Sequence, residues 1–358
     1  MQRVRLKRRF DIARFLPAII AVVLIAVIVA IVAFATTKRE GKIKMRELTR
    51  VDANVECFVP FLSGVATIDG ENIYYIDDRN EKMWGFSGAT EDMKLYAGAE
   101  RLGVAAGKKL QIISQDGKLA FSKEFEKNIS SVVIGKKLIA VNLSNSDDMI
   151  ILNSTGEEVD RIASEINGTN IRCGVFDDGG VWVITVENSG YVPKYYLSTY
   201  RYDTEKKQTI TFEVDDQMMY NAVFDNDVCY IFGSEDIMVR DCNYTDTVKL
   251  DYSVNGFDVV DYKKIGKNLN MLLLNNGNLK AINGAGLKDY FIEEKVQWAH
   301  VSNKNYYAFN RYFMYKIKPS SAKYSVYKFP VAVEDLINAN DYVLIVSDGV
   351  LYRYDVPN

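Results

Sequence analysis

The single histidine, His300, limits the chemistry that this chain can perform. Ser-His-Asp and Cys-His mechanisms both need an imidazole as the base, so either one would depend wholly on His300. Sites that hold a metal ion with several histidines are excluded for the same reason. No spacing of Ser, Cys, Asp or Glu marks a catalytic set. The sequence therefore predicts no catalytic, cofactor-binding or metal-binding residue, and a protein that is not an enzyme.

Trp298 and His300 are the first candidates for contact with a ligand. They occur in VQWAHVSN, which we interpret as a short strand. Side chains two residues apart lie on the same face of a strand, so both would contact a ligand if that face lined a channel. Packing against a neighbouring element would instead give them a structural role. We favour packing, because no further site residues accompany them.

A tyrosine-rich stretch supplies the other contact candidates. The segment ENSGYVPKYYLSTYRYD, residues 187–203, lengthens one hairpin and includes Tyr191, Tyr195 and Tyr196. Exposed tyrosines suit the recognition of a protein partner. They also suit ordinary packing between strands, which we expect for most of them.

The four cysteines are too few for a disulfide-built scaffold and lack the paired spacing of a zinc site. Buried thiols are the default interpretation. One pair is a candidate disulfide: in VCYIFGSEDIMVRDC, a two-residue turn at Glu235 and Asp236 would place Cys229 directly opposite Cys242. An oxidising exterior would permit that bridge if its narrow geometry were met.

A membrane helix is predicted near the N-terminus. Residues 15–36 read FLPAIIAVVLIAVIVAIVAFAT, without a charge and long enough to cross a bilayer. In lipid such a segment must be helical, because its backbone groups have no other partners. Residues 1–14 form a short basic head, which prefers the cytoplasm, while long C-terminal domains translocate largely regardless of charge. We therefore predict a single-pass protein with a cytoplasmic N-terminus and an extracytoplasmic C-terminal domain.

A cleaved signal peptide is the alternative interpretation of this segment. Ala33, Phe34 and Ala35 have the small-x-small form of a cleavage site. The apolar core of a signal peptide has about 7–15 residues, and this run is longer. A retained anchor is therefore favoured, and the secreted form stays the alternative.

Charge narrows the classes of partner. Subtracting the 12 basic and 3 acidic residues of segment 1–50 from the totals of 44 and 47 leaves 32 and 44, a formal charge of −12 for residues 51–358. Such a surplus disfavours nucleic acid and anionic lipids or polymers, and it favours cationic partners or metal ions. It also keeps an exported domain soluble.

One pattern recurs eight times: a short strand, a polar turn, an apolar run, a tight turn and another strand. The apolar runs begin at Ile73, Leu110, Leu138, Val181, Val228, Leu269, Tyr306 and Tyr342. Their mean interval of about 38 residues is close to the ~40 residues of a propeller blade. The sequence thus predicts an all-β protein, a β-propeller of about eight four-stranded blades. The short interval between Leu110 and Leu138 leaves seven blades as the alternative.

The strand expected to close the ring determines where the propeller domain begins. The last repeat ends after its third strand, and the segment 51–62, VDANVECFVPFL, precedes the first repeat. We expect that segment to supply the missing strand, since closure removes the open sheet edge. The predicted domains are the head 1–14, the transmembrane helix 15–36, a stalk 37–50 and a propeller 51–358. A β-sandwich or two smaller β-domains would be the alternative.

The repeats resemble the blade motif of quinoprotein-like propellers. Three pieces carry the resemblance: IYYIDDRNEKMWGF, IISQDGKLAFSKEF and IILNSTGEEVDRI. In that superfamily a blade tryptophan usually docks onto a neighbouring blade. Trp84 falls at that place here, while Phe121 and Val159 replace it in two other repeats. The layout of head, anchor and degenerate propeller is similar to that of uncharacterised single-pass membrane proteins of Gram-positive bacteria.

This resemblance implies a fold and a location without an activity. Quinoprotein enzymes hold pyrroloquinoline quinone over a tryptophan beside a calcium ion, and no residue set of that kind is recognisable here. We therefore predict a binding or scaffolding module that engages an envelope protein, a peptide or a glycan. The alternative is an enzyme or ligand sensor with its site in the central channel.

Overall fold

Strands and tight turns dominate the described part of the chain, as the short apolar runs and the Asn, Asp and Gly turns predict. The computed structural model describes residues 41–50, 57–88, 92–146, 148–163, 168–188, 191–203, 206–214, 217–225, 228–241, 248–284, 286–321 and 323–356. The predicted head and membrane helix, residues 1–14 and 15–36, lie outside these ranges. Within them, no helix has the length and apolar character needed to span a membrane.

The described residues form 33 strands, numbered here in chain order. Two short strands come first, β1 (Gly41–Lys42) and β2 (Arg46–Arg50). Blades 1 and 2 follow, with β3 (Phe58–Phe61), β4 (Gly64–Asp69), β5 (Asn72–Ile76), β6 (Lys82–Ser87), β7 (Lys94–Gly98), β8 (Arg101–Ala106), β9 (Lys109–Ser114) and β10 (Leu119–Glu124). Blades 3 and 4 contain β11 (Ile129–Ile134), β12 (Leu138–Leu143), β13 (Met149–Asn153), β14 (Glu158–Ile162), β15 (Gly168–Val175), β16 (Gly180–Glu187), β17 (Lys194–Asp203) and β18 (Lys206–Val214).

The second half of the ring repeats this order. Blades 5 and 6 contain β19 (Met219–Asp225), β20 (Val228–Gly233), β21 (Asp236–Asp241), β22 (Val248–Ser253), β23 (Asp258–Ile265), β24 (Asn268–Asn275), β25 (Asn278–Asn283) and β26 (Gly286–Tyr290). Blades 7 and 8 contain β27 (Trp298–Val301), β28 (Tyr306–Phe309), β29 (Phe313–Ile317), β30 (Tyr324–Lys328), β31 (Asp335–Asn338), β32 (Tyr342–Ser347) and β33 (Val350–Asp355).

Strands within a blade are antiparallel and hydrogen-bonded in chain order, with the first strand innermost. Because the direction alternates, the turns after first and third strands lie at one end of the ring, here called the first rim. The turns after second strands and the connections between blades lie at the opposite end, the second rim.

The core consists of eight hydrophobic clusters, one between each pair of neighbouring blades. Leu110 and Val141, for example, are buried between blades 2 and 3. The cluster that joins Val65 to Leu344 lies between blades 1 and 8 and completes the ring. The predicted propeller of four-stranded blades is thereby confirmed with eight blades, and the β-sandwich and seven-blade alternatives are excluded.

The irregular spacing of the apolar runs arises because the runs do not correspond to the same strand in every blade. The runs at Ile73 and Leu110 are the third strands β5 and β9, whereas the run at Leu138 is the second strand β12. The second strands of blades 1 to 3 begin at Gly64, Arg101 and Leu138, an even interval of 37 residues. The short interval between Leu110 and Leu138 therefore marks a shift within the blade, and no blade is lost there.

The closing strand precedes the segment 51–62 in which it was expected. β2 pairs antiparallel with β33 as the outermost strand of blade 8, and β1 pairs parallel with β30 of blade 7. Both lie within the predicted stalk, 37–50, and Phe58–Phe61 forms the innermost strand of blade 1 instead. An outermost strand is exposed on one side and needs few apolar residues. In RELTR only Leu48 is buried, so the segment looks like a polar linker in the sequence.

Candidate binding site

Two adjoining cavities open at the first rim, around the ends of the innermost strands. A cavity of about 400 Å³ is lined by blades 8, 1 and 2, and one of about 310 Å³ by blades 6, 7 and 8. They share the turn of residues 338–340 in blade 8. Concave surfaces formed by several elements are the usual sites of ligand binding, so these cavities are the candidate site.

Asp261 and His300 meet in the smaller cavity. His300 is 2% exposed, and its Nδ1 lies 2.9 Å from Oδ2 of Asp261 on the innermost strand of blade 6. The same carboxylate oxygen accepts a hydrogen bond from the Val301 N–H at 2.7 Å. Asp261 therefore joins blade 6 to blade 7, and both Asp261 and His300 line the cavity.

Asn338 completes this group from blade 8. Its Nδ2 donates to the Ala299 carbonyl at 2.8 Å, which fixes the orientation of the amide. Its Oδ1 is buried and, within the part of the chain that the structure describes, accepts no hydrogen bond. Nε2 of His300 is likewise buried there without a hydrogen-bond partner. Each such group is costly unless something satisfies it.

Lys263 is a further polar residue of this cavity, and its side chain is engaged in hydrogen bonds. Nζ of Lys263 donates to the Asn340 carbonyl and to Oδ1 of Asp341, at 2.9 Å in each case. Partial burial, reinforced by the Asp261 carboxylate, raises the pKa of the Tyr262 hydroxyl above its ordinary value. The lysine charge is thus paired, and the unsatisfied groups belong to His300 and Asn338.

The described residues that line the smaller cavity include neither a serine nor a cysteine. Among the described ranges there is also no group of three His, Cys, Asp or Glu side chains placed to hold a metal ion.

Trp298 and His300 do not form a shared ligand face. Trp298 packs against the cluster between blades 7 and 8 and does not line the cavity, whereas His300 does. Trp298 is thus packed against hydrophobic neighbours, and His300 lines the cavity.

The predicted tyrosines divide in the same way. Tyr191 is fully exposed on the second rim, with a relative exposure of 110%. Tyr195 packs against the cluster between blades 4 and 5, and the hydroxyl of Tyr196 donates to Glu187 at 3.0 Å. Of the three, Tyr191 is the fully exposed one, and Tyr195 and Tyr196 are half-buried.

The candidate disulfide has a different register from the one expected. Cys229 is buried and lies opposite Arg240, because the hairpin pairs Phe232 with Ile237. Cys242 lies outside the described residues. The bridge therefore stays a prediction, without the direct opposition that was its motive.

Sequence reasoning missed Asp261 and Asn338, since Asp and Asn occur in almost every turn of this chain. A signal was nevertheless present. Asp261, His300 and Asn338 follow one another at 39 and 38 residues, about one blade repeat, so they occupy comparable positions on three successive innermost strands.

The expected docking residues are found at two blade interfaces. The indole N–H of Trp84 donates to the Gln115 carbonyl of blade 2 at 3.0 Å, and the ring lies over Gly117. Phe121 lies over Gly156 of blade 3 in the same manner. Val159 is 45% exposed and does not take this role.

Comparison with known proteins shows the fold. No protein-family description matches the sequence, and no curated protein matches it. Among solved structures, the chain is similar to BamB from Moraxella catarrhalis, with a TM-score of 0.59, 12% identity and coverage of 87% of this chain and 100% of that chain. It is also similar to Sqt1 from Saccharomyces cerevisiae, with a TM-score of 0.60, 12% identity and coverage of 89% and 99%.

AztD from Citrobacter koseri is a third similar structure, with a TM-score of 0.51, 10% identity and coverage of 79% and 87%. At these identities the likeness concerns the fold alone.

Proposed function

We propose that this chain is a membrane-anchored binding or scaffolding module, which displays its propeller outside the cell membrane and holds a protein of the cell envelope. The observation that carries the proposal is the lengthened middle hairpin of blade 4, which presents Tyr191 and Val192 to solvent at 110% and 61% exposure.

The hairpin is built to project. The β16–β17 ladder extends from Gly180 opposite Arg201 to Glu187 opposite Lys194, eight pairs, whereas the β12–β13 ladder of blade 3 has five. Three further pairs add about 10 Å at ~3.3 Å each. An exposed aromatic and a β-branched residue on a supported hairpin suit contact with another protein.

Polar contacts stiffen the end of this hairpin. Nζ of Lys194 lies 2.7 Å from the Glu213 carboxylate, and Tyr196 donates to Glu187 as described above. A preorganised projection loses less conformational entropy on binding than a flexible loop does.

The anchor and the outside location rest on the sequence. The uncharged segment 15–36 and the basic head before it support a single-pass topology. A short tether of this kind would hold the propeller beside other envelope proteins.

Site-specific photo-crosslinking in intact cells tests the proposal. A benzoylphenylalanine at position 191 of the full-length chain is expected to capture one defined envelope protein. The same residue at Met83, which is 55% exposed on the outermost strand of blade 1, is the matched control and should capture none. Val192→Asp should abolish the adduct. Equal adducts from both positions, or none from either, would contradict the proposal.

The alternative function, a ligand sensor in the central channel, has one observation in its favour. It is the buried ring of His300, whose Nε2 has no partner within the described ranges and which lines a cavity at the opposite rim.

A further inference from the structure

We propose that the cavity of blades 6, 7 and 8 binds a primary ammonium group, held by His300, Asn338 and Asp261. This inference goes beyond the partner surface on blade 4, because it concerns a separate site at the other rim.

The tautomer of His300 supplies the first step. Nδ1 lies 2.9 Å from a carboxylate oxygen of Asp261. In the neutral ring we place the proton on Nδ1, the nitrogen close to that oxygen, although the N–H does not point at the oxygen well enough to form a hydrogen bond. Nε2 is then an acceptor, and it is buried at a cavity where, in the described part of the chain, nothing donates to it.

Asn338 supplies a second acceptor, and the orientation of its amide shows that this acceptor is Oδ1. Its amide nitrogen is held by the Ala299 carbonyl at 2.8 Å, so Oδ1 is the atom left over. This oxygen, too, is buried without a donor among the described residues.

Asp261 adds the negative charge. Its two oxygens accept from the Val301 and Tyr262 N–H groups, at 2.7 and 2.9 Å. Oδ1 still has a further lone pair, whereas the second side of Oδ2 faces Nδ1 of His300. The positive charge of Lys263 is paired with Asp341, so it does not neutralise Asp261.

The chemical class of the ligand follows from these hydrogen-bond acceptors and the carboxylate. Two unsatisfied acceptors beside a carboxylate call for a cationic group with several N–H donors. A primary ammonium has three donors and no acceptor, one for each of the three side chains. A water molecule has two donors and no charge. The cavity, about 310 Å³, is large enough for an alkylammonium chain, and the surplus of acidic residues in the domain favours a cation.

The only histidine of the chain makes the test direct. The full-length protein, purified in detergent with ¹⁵N-labelled histidine, is titrated with n-butylamine at neutral pH, and the ring nitrogen resonances of His300 are followed. 1-Butanol and butyrate are the uncharged and anionic controls of the same chain length. We expect a saturable shift with butylammonium alone.

Two variants and one control locate the site. Asp261→Asn and Asn338→Ala should each weaken butylammonium binding about tenfold, the loss expected for one charge-assisted hydrogen bond. Because either variant could impair folding, its thermal unfolding is measured in parallel and the one that folds is used. Glu71→Gln neutralises an exposed carboxylate in the β4–β5 turn at the second rim, outside both cavities, and should leave the affinity unchanged.

Further ligands distinguish the source of the ammonium. Stronger binding of 1,5-diaminopentane indicates a free amine, and stronger binding of a lysine-containing peptide than of its acetyl-lysine form indicates a side chain of a partner. The proposal is overturned if butylammonium leaves the His300 resonances unchanged, if butyrate shifts them, or if Glu71→Gln weakens binding as much as Asp261→Asn. None of these outcomes affects the crosslinks at position 191.

Discussion

The indole of Trp84 in blade 1 lies so close over Gly117 of blade 2 that a Cβ at residue 117 would be 2.6 Å from the indole Cγ. Gly117 also has a φ of +81°, which other residues rarely adopt. The interface between these two blades therefore requires glycine for two separable reasons, space and backbone conformation.

Gly117→Ala should destabilise the protein more than Gly70→Ala does. Gly70 has a φ of +59° with nothing within 4 Å of its would-be Cβ, so its substitution reports backbone strain alone. Overpacking against Trp84 should add about 1–3 kcal/mol at residue 117. Urea unfolding of both variants measures the difference. Equal losses of stability would show that the indole moves aside at little cost.

Leu48→Ala should weaken ring closure. Leu48 is 6% exposed in β2 and packs in the cluster between blades 8 and 1, so we expect a loss of about 2–4 kcal/mol. Leu119→Ala is the matched control, since Leu119 also lies on an outermost strand but is 46% exposed. Its cost should stay within about 0.5 kcal/mol. Similar unfolding midpoints for the two variants would argue against closure through β2.

Stability should decrease at alkaline pH through buried tyrosines. Burial raises the pKa of Tyr342 to about 12, whereas in an unfolded chain the value is about 10. Between these values the folded chain binds more protons than the unfolded chain, so stability is lost as the pH rises through this window.

Tyr342→Phe should remove part of that decrease, about 1 kcal/mol between pH 10 and 11. The variant also loses the hydrogen bond from the hydroxyl to the Gly64 carbonyl, which lowers stability at every pH. The informative quantity is therefore the change in unfolding free energy between pH 9 and pH 11. An unchanged pH dependence would show that Tyr342 does not ionise on unfolding in this range.

Removal of residues 1–36 should release the protein from membranes. The full-length chain is expected in the carbonate-resistant membrane fraction of its own host, and external protease should digest the propeller in intact cells. N-terminal sequencing of the mature protein serves as the control for processing. A mature chain that begins near residue 36 would establish the cleaved form in place of the anchor.

Most of the fold was predictable because each blade repeats the same order of strands and turns. Which strand of a blade each apolar run forms was not predictable, since the run is the third strand in blades 1 and 2 and the second strand in blade 3. The closing strand was missed for a related reason. Arg46–Arg50 buries one leucine, and pairing with β33 is what gives this polar segment its structure.

The candidate site was predictable only in part. His300 attracted attention because it is the sole histidine. Its neighbours come from blades 6 and 8, so the site depends on tertiary pairing over about one repeat on each side. Spacing alone cannot distinguish Asp261 and Asn338 from the many Asp and Asn residues that serve turns.

The position of the closing strand has a mechanical consequence. Tension applied through the chain before Gly41 would first load the two-residue pairing of β1 with β30 and then the β2–β33 ladder. The strand that seals the ring is thus also the one that bears the load. Under force the sheet of blade 7 would lose β1 first, and blade 8 would open next, when β2 separates from β33.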